Sequence, residues 1–137
     1  MPKKQQKQWA FTMIELLVAT TIIILLTTIG LVSFRQASVS SRNAKRKADL
    51  ETMRQALTLY KQDNNYYAPS SSITFSGLVS SLYNGGYLSE ATLVDPKNVT
   101  PYIYQAICST VSGTTCVKVT LRTALEPDGT VYNVIAL

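Results

Sequence analysis

Glu15 is the residue whose type and position ask most for an explanation. It is the only charged residue in Phe11–Phe34, FTMIELLVATTIIILLTTIGLVSF. A carboxylate in an apolar span costs roughly 3 kcal/mol on insertion scales and needs a partner. No Lys, Arg or His lies within that span to supply one. One reading places Glu15 at an interface, snorkelling or protonated. The other gives it a counter-ion made by processing: a cut between Ala10 and Phe11 creates an α-amine that is protonated near neutral pH. On a neighbouring copy, that amine would pair with Glu15 inside an apolar bundle.

Other candidate chemistry is sparse. The chain has no histidine, which removes the commonest general base and the commonest metal ligand. Asp49 and Glu51 are two apart on a predicted helix, so they point to different faces and make no acid–base pair. Cys108 and Cys116 match none of the usual zinc spacings. A three-residue loop Val111-Ser112-Gly113 would set Cys108 directly opposite Cys116, with Gly113 at the position that wants a left-handed backbone. That pairing predicts one small disulfide and an oxidising, extracytoplasmic compartment; two buried free thiols are the alternative. No active site assembles from these residues, and no enzyme, metal or cofactor is expected.

The elements that must position these groups follow from composition. The chain is 46% apolar and 15% charged over 137 residues, with the apolar excess concentrated in Phe11–Phe34. As a helix that segment is about 36 Å long, enough for a hydrocarbon core of roughly 30 Å. It is too long for the apolar region of a secretory signal, and no small-residue cleavage site follows it. Thr20, Thr21, Thr27 and Thr28 within it are expected to bond back to their own helix carbonyls.

No proline interrupts Phe11 to Tyr67, and Gly30 is the only glycine there. Leu50, Met53, Leu57 and Tyr60 form an apolar stripe at helical spacing, and Asp63-Asn64-Asn65 ends the pattern. One helix from about Phe11 to about Asp63, about 80 Å long, is predicted. Ala68–Ser72 reads as a loop, Leu78–Tyr83 as a short helix, and Gly85-Gly86 as a turn. Strands are expected at Tyr102–Cys108, Cys116–Leu125 and Thr130–Leu137, with Glu126-Pro127-Asp128-Gly129 as the second turn. The expected fold class is therefore α+β: a long N-terminal helix packed on a three-stranded antiparallel sheet. Three segments are expected: a basic leader at 1–10, an apolar half-helix at 11–34 and a globular domain at 35–137.

The net charge of +5 is mostly a property of the leader. Without Lys3, Lys4 and Lys7, ten basic residues face eight acidic ones, which argues against nucleic acid as a partner. Arg35, Arg42, Lys45, Arg46 and Lys47 follow the span and are expected to be solvated or to face lipid headgroups. The count of basic residues on the two sides of the span does not favour an N-terminus inside.

Ala10-Phe11-Thr12-Met13-Ile14-Glu15-Leu16-Leu17-Val18 after a basic leader closely resembles the cleavage and methylation signal of type IV pilins and type II secretion pseudopilins. Ala10 stands where Gly is usual and Met13 where Leu is commoner. The resemblance implies cleavage before Phe11 by a prepilin peptidase, methylation of the new amine, and Glu15 as the assembly residue. It further implies a leader in the cytoplasm, a single pass through the cytoplasmic membrane, and a helical homopolymer built by an inner-membrane platform with minor subunits. The stretches Asp63-Asn64-Asn65-Tyr66-Tyr67-Ala68-Pro69 and Asp95-Pro96 with Pro101-Tyr102-Ile103-Tyr104 lean toward the secretion pseudopilins. A surface pilus for adhesion, motility or DNA uptake is the alternative, and a tethered binding domain that never polymerises is another. The acidic calcium loop of major pseudopilins has no equivalent near Glu126 and Asp128, so calcium is not expected.

Overall fold

The computed structural model describes residues 11–68 and 73–136. The leader at 1–10, with Ala10, residues 69–72 of the expected loop, and Leu137 lie outside the described residues. The chain divides into two units, Met1–Ser38 and Val39–Leu137.

One helix, α1, runs Met13–Asn64, within two residues of the expected bounds. Nothing in its sequence breaks the ladder: proline is absent and Gly30 stands in open space. In its apolar part the side chains are exposed, and Phe11 just before it is 80% exposed. The four threonine hydroxyls donate to carbonyls three or four residues back, as at Thr21 to Val18 (2.8 Å) and Thr28 to Ile24 (2.8 Å), so their polar groups are satisfied within the helix. By length and composition this helix can cross a membrane.

The helix stops where Asn65 turns left-handed (φ 65°). The Asn65 amide donates to the Lys61 carbonyl at 2.7 Å, and the Asn64 side chain donates to the Tyr60 carbonyl at 2.9 Å. These bonds occupy carbonyls that a helix end leaves open.

In the second unit, Leu50, Met53, Ala56 and Leu57 are buried and Tyr60 packs at their edge. A second helix, α2 (Phe75–Asn84), is longer than expected at its N-terminus. Thr74 explains the difference: its hydroxyl caps the Gly77 amide at 3.1 Å, starting the helix three residues earlier than its apolar spacing suggests. Phe75, Leu78, Val79 and Leu82 are its buried face. The Gly85-Gly86 turn follows, with Gly86 at φ 78°.

The sheet is a meander of order β1-β2-β3, with β1 Gln105–Ser112, β2 Thr115–Leu125 and β3 Thr130–Ala136, all antiparallel. Ala106, Val119, Leu121, Val134 and Ala136 join the residues of both helices in a single core. Strand β1 begins later than expected. The Tyr102 amide closes a turn on the Val99 carbonyl and the Tyr102 carbonyl accepts from the Thr123 hydroxyl, so these groups are taken before the ladder starts. Glu126–Gly129 forms the expected second turn, closed by the Gly129 amide on Leu125.

The first hairpin departs from the expected register. Its turn is the two-residue Gly113-Thr114, with Ser112 paired to Thr115. Gly113 is left-handed (φ 61°), as anticipated. That shorter turn puts Cys116 opposite Val111 and Cys108 opposite Val119, with the pairing locally irregular at Thr110 between them. The disulfide Cys108–Cys116 nevertheless forms, across a Cα–Cα distance of 5.8 Å. Irregular pairing at Thr110 brings together two residues that a regular ladder would separate. Cys116 also anchors the chain leaving α1, because its carbonyl accepts from the Tyr67 amide and its amide donates to the Ala68 carbonyl, each at 2.8 Å.

Candidate assembly site and its ion-paired frame

Glu15 sits in the first turn of α1. The Thr12 hydroxyl accepts from the Glu15 amide at 3.3 Å, and the Thr12 carbonyl accepts from the Leu16 amide. This is the hydroxyl cap that a helix start prefers, and a carboxylate there also meets the positive end of the helix dipole. Among the described residues Glu15 forms no ion pair. Phe11, Met13, Ile14 and Leu16 around it are all exposed. Among the described residues the apolar surface from Phe11 to Phe34 is exposed, and Glu15 is the one ionisable side chain on it. Cys108 and Cys116 belong to the other unit and serve the sheet.

The second unit contains a cluster that the sequence reading missed. Arg46 was expected in solvent, yet its side chain is 0% exposed. Its Nε donates to Asp95 Oδ2 at 2.5 Å, its Nη2 lies 2.9 Å from Glu126 Oε1, and its Nη1 donates to Asn43 Oδ1 at 2.8 Å. The guanidinium also stacks 4.7 Å from the Tyr102 ring centre. Arg42, likewise expected in solvent, grips Glu126 with two bonds of 2.8 and 2.7 Å. Lys97 reaches the same carboxylate at 2.6 Å.

Every acceptor in this cluster is used. Asp95 Oδ1 takes the amides of Lys97 (2.8 Å) and Asn98 (3.0 Å), and Asn43 exchanges two bonds with the Glu126 backbone (2.8 and 3.0 Å). Full satisfaction is what makes buried charge tolerable. The hydrogen bond from Arg42, followed by those from Lys97 and Arg46, holds the Glu126 carboxyl well below the usual carboxylate range. Burial alone would raise Asp95, but its bonds from Arg46 and the two amides outweigh burial and lower it. Tyr104 is pushed up by burial and by its 2.7 Å bond to Asp49.

The signal for this cluster was faint but present. Arg46 lies four residues before Leu50, so it extends the buried stripe by one turn. Nothing in the local sequence marks an arginine at such a position as buried, because its partners are 49 and 80 residues away. The cluster has a mechanical consequence. It clamps two otherwise unladdered segments, the Asp95–Asn98 loop and the β2–β3 turn, onto one turn of α1. Both Glu126 and Asp95 are fully engaged by nitrogen donors.

A long N-terminal helix with an uncovered apolar half, whose later part packs on a three-stranded antiparallel meander, defines the pilin-like α+β class. A family model described as type II secretion system (T2SS), protein G, matches residues 34–116, more than half of the chain. The chain belongs to that family, which is one of structural pseudopilins. The matched region starts at Phe34, where the apolar half of α1 ends, and it includes Arg42, Arg46 and Asp95. Comparison with curated proteins and with solved structures returns no match.

Proposed function

We propose that this protein is the precursor of a subunit that polymerises into the pseudopilus of a type II secretion-like system. The observation that carries the proposal is the uncovered apolar half of α1 with Glu15 as its only charge, in a chain of the protein G family. The precursor inserts with residues 1–10 in the cytoplasm. Prepilin peptidase cuts between Ala10 and Phe11 and methylates the new amine. The mature subunit waits in the cytoplasmic membrane as a single-pass protein with its globular domain, residues 35–137, outside. An inner-membrane platform and minor subunits then draw it into a helical filament.

Two forces divide the work. Burying the apolar half-helices against one another supplies cohesion, at about 25 cal/mol per Å². The Glu15 carboxylate and the Phe11 amine of an adjoining copy supply register, since a lone buried ion pair roughly breaks even in stability. This role is structural, and no catalytic step is assigned to the chain.

Mass spectrometry of the N-terminus from native membranes tests the reading. A chain that starts at Phe11 with one added methyl is expected. A chain that starts at Met1 would remove the processing step and favour a tethered domain that never polymerises. Long surface filaments seen by electron microscopy would favour a pilus for adhesion, motility or DNA uptake over a secretion pseudopilus.

A further inference from the structure

The face of the sheet turned away from the core has an unusual make-up. Side chains alternate along β2, so Val119, Leu121 and Thr123 are buried while Lys118, Thr120 and Arg122 point outward. The register flanks Thr120 with Ile107 on β1 and Ile135 on β3, both exposed, and flanks Arg122 with Gln105 and Asn133. One step further along, Pro101, Ile103, Ala124 and Val131 line an open cleft of about 230 Å³ whose wall includes Arg122. The strands carry two outward cations and not one acidic residue.

Arg122 is not a loose surface charge. Its Nε donates to Gln105 Oε1 at 2.6 Å, which fixes the guanidinium against the sheet. Among the described residues its terminal nitrogens have no partner. A pinned guanidinium with free donors matches a carboxylate in geometry as well as charge. Exposed aliphatic side chains around it offer apolar contact without closing the site.

We propose that this outer face, with Arg122 at its centre, is a docking surface for an extended segment of a partner protein that carries a carboxylate between apolar side chains. Charge complementarity selects an acidic ligand, and the aliphatic residues on both sides select apolar neighbours. A lipid surface fits less well, because this face offers an anionic headgroup layer only two cations, Lys118 and Arg122. The proposal is independent of polymerisation, so its failure and the failure of the filament reading are distinguishable.

The test uses the full chain in neutral detergent and a fluorescent peptide, Ac-Thr-Val-Glu-Val-Glu-Val-Thr-NH2, read by anisotropy. The glutamate peptide is expected to bind about tenfold more tightly than its glutamine counterpart, as a charge-assisted bond allows. Arg122→Gln should erase that difference, and Val131→Ser should weaken both peptides alike. A glutamine peptide ending in a free carboxylate that recovers the difference would name the terminal group as the natural ligand. Circular dichroism and an intact disulfide verify folding. Equal binding of the glutamate and glutamine peptides, or a preference that survives Arg122→Gln, overturns the proposal. Displacement of the peptide by anionic but not zwitterionic lipid micelles assigns the face to a membrane and also overturns it.

Discussion

Replacing Arg46 with Met is the most informative perturbation of the globular unit. The methionine keeps the apolar bulk beside Leu50 and removes the guanidinium. Asp95 then keeps two amide donors but loses its counter-ion, at a site where its side chain is fully buried. Glu126 keeps Arg42 and Lys97, so the damage concentrates on Asp95. Breaking a buried pair by removing one partner costs about 3–5 kcal/mol. For a unit of this size, that is about 15–30 °C in Tm. The second half of the experiment supplies the discrimination. Asp95→Asn in the Arg46→Met background removes the stranded charge, and an amide oxygen can still accept from Lys97 and Asn98. The double variant should therefore be more stable than Arg46→Met alone by about 2 kcal/mol, a coupling of the size contacting residues show. Thermal and denaturant unfolding of the full chain in detergent, followed by circular dichroism, measures all four corners of the cycle. If Arg46→Met costs less than about 1 kcal/mol, the range of an exposed pair, the buried cluster is not what holds the loops. If Asp95→Asn gives no recovery, the stranded-charge argument is wrong.

Acid should act on the same cluster. Asp95 and Glu126 both have folded-state pKa values below their ordinary ones. Their contribution is therefore present above the unfolded carboxylate range, near pH 4, and is lost as pH falls below it; a pH series of unfolding midpoints should drop steeply there, and a flat profile would contradict the assigned directions. Cys108→Ser with Cys116→Ser should lower stability by about 2.5 kcal/mol from loop entropy, and an unfolding midpoint that does not respond to reductant in the native chain would oppose this. Glu15→Ala should insert into membranes at least as well, since about 3 kcal/mol of insertion cost is relieved. It should fail to build ordered filaments in a reconstituted assembly assay. Wild-type filament yield and register from that variant would refute the counter-ion mechanism.

Much of this protein is written locally. The apolar run from Phe11, the stripe at Leu50, Met53 and Leu57, the Asn65 stop and the turns at Gly113 and Gly129 each depend on neighbours a few residues away. A reading of spacing and residue type reaches them for that reason. Glu15 belongs to the same group, because its isolation in a run of apolar residues is a property of the sequence alone.

What the tertiary structure decided depends on distant partners. Cys108 and Cys116 were expected to face each other in a regular ladder; the two-residue turn at Gly113-Thr114 moved the pairing, and the irregularity at Thr110 kept the two within bonding reach. Thr74 extended α2 through a cap that apolar spacing does not record. Arg42 and Arg46 look in sequence like members of a solvated basic run. The fold brings Asp95 and Glu126 to them from two separate segments, and the gain from pairing a buried guanidinium outweighs its loss of water. Local sequence specifies where a helix can form and which face is apolar, while long-range contact alone determines whether a charge on its rim meets water or a buried carboxylate.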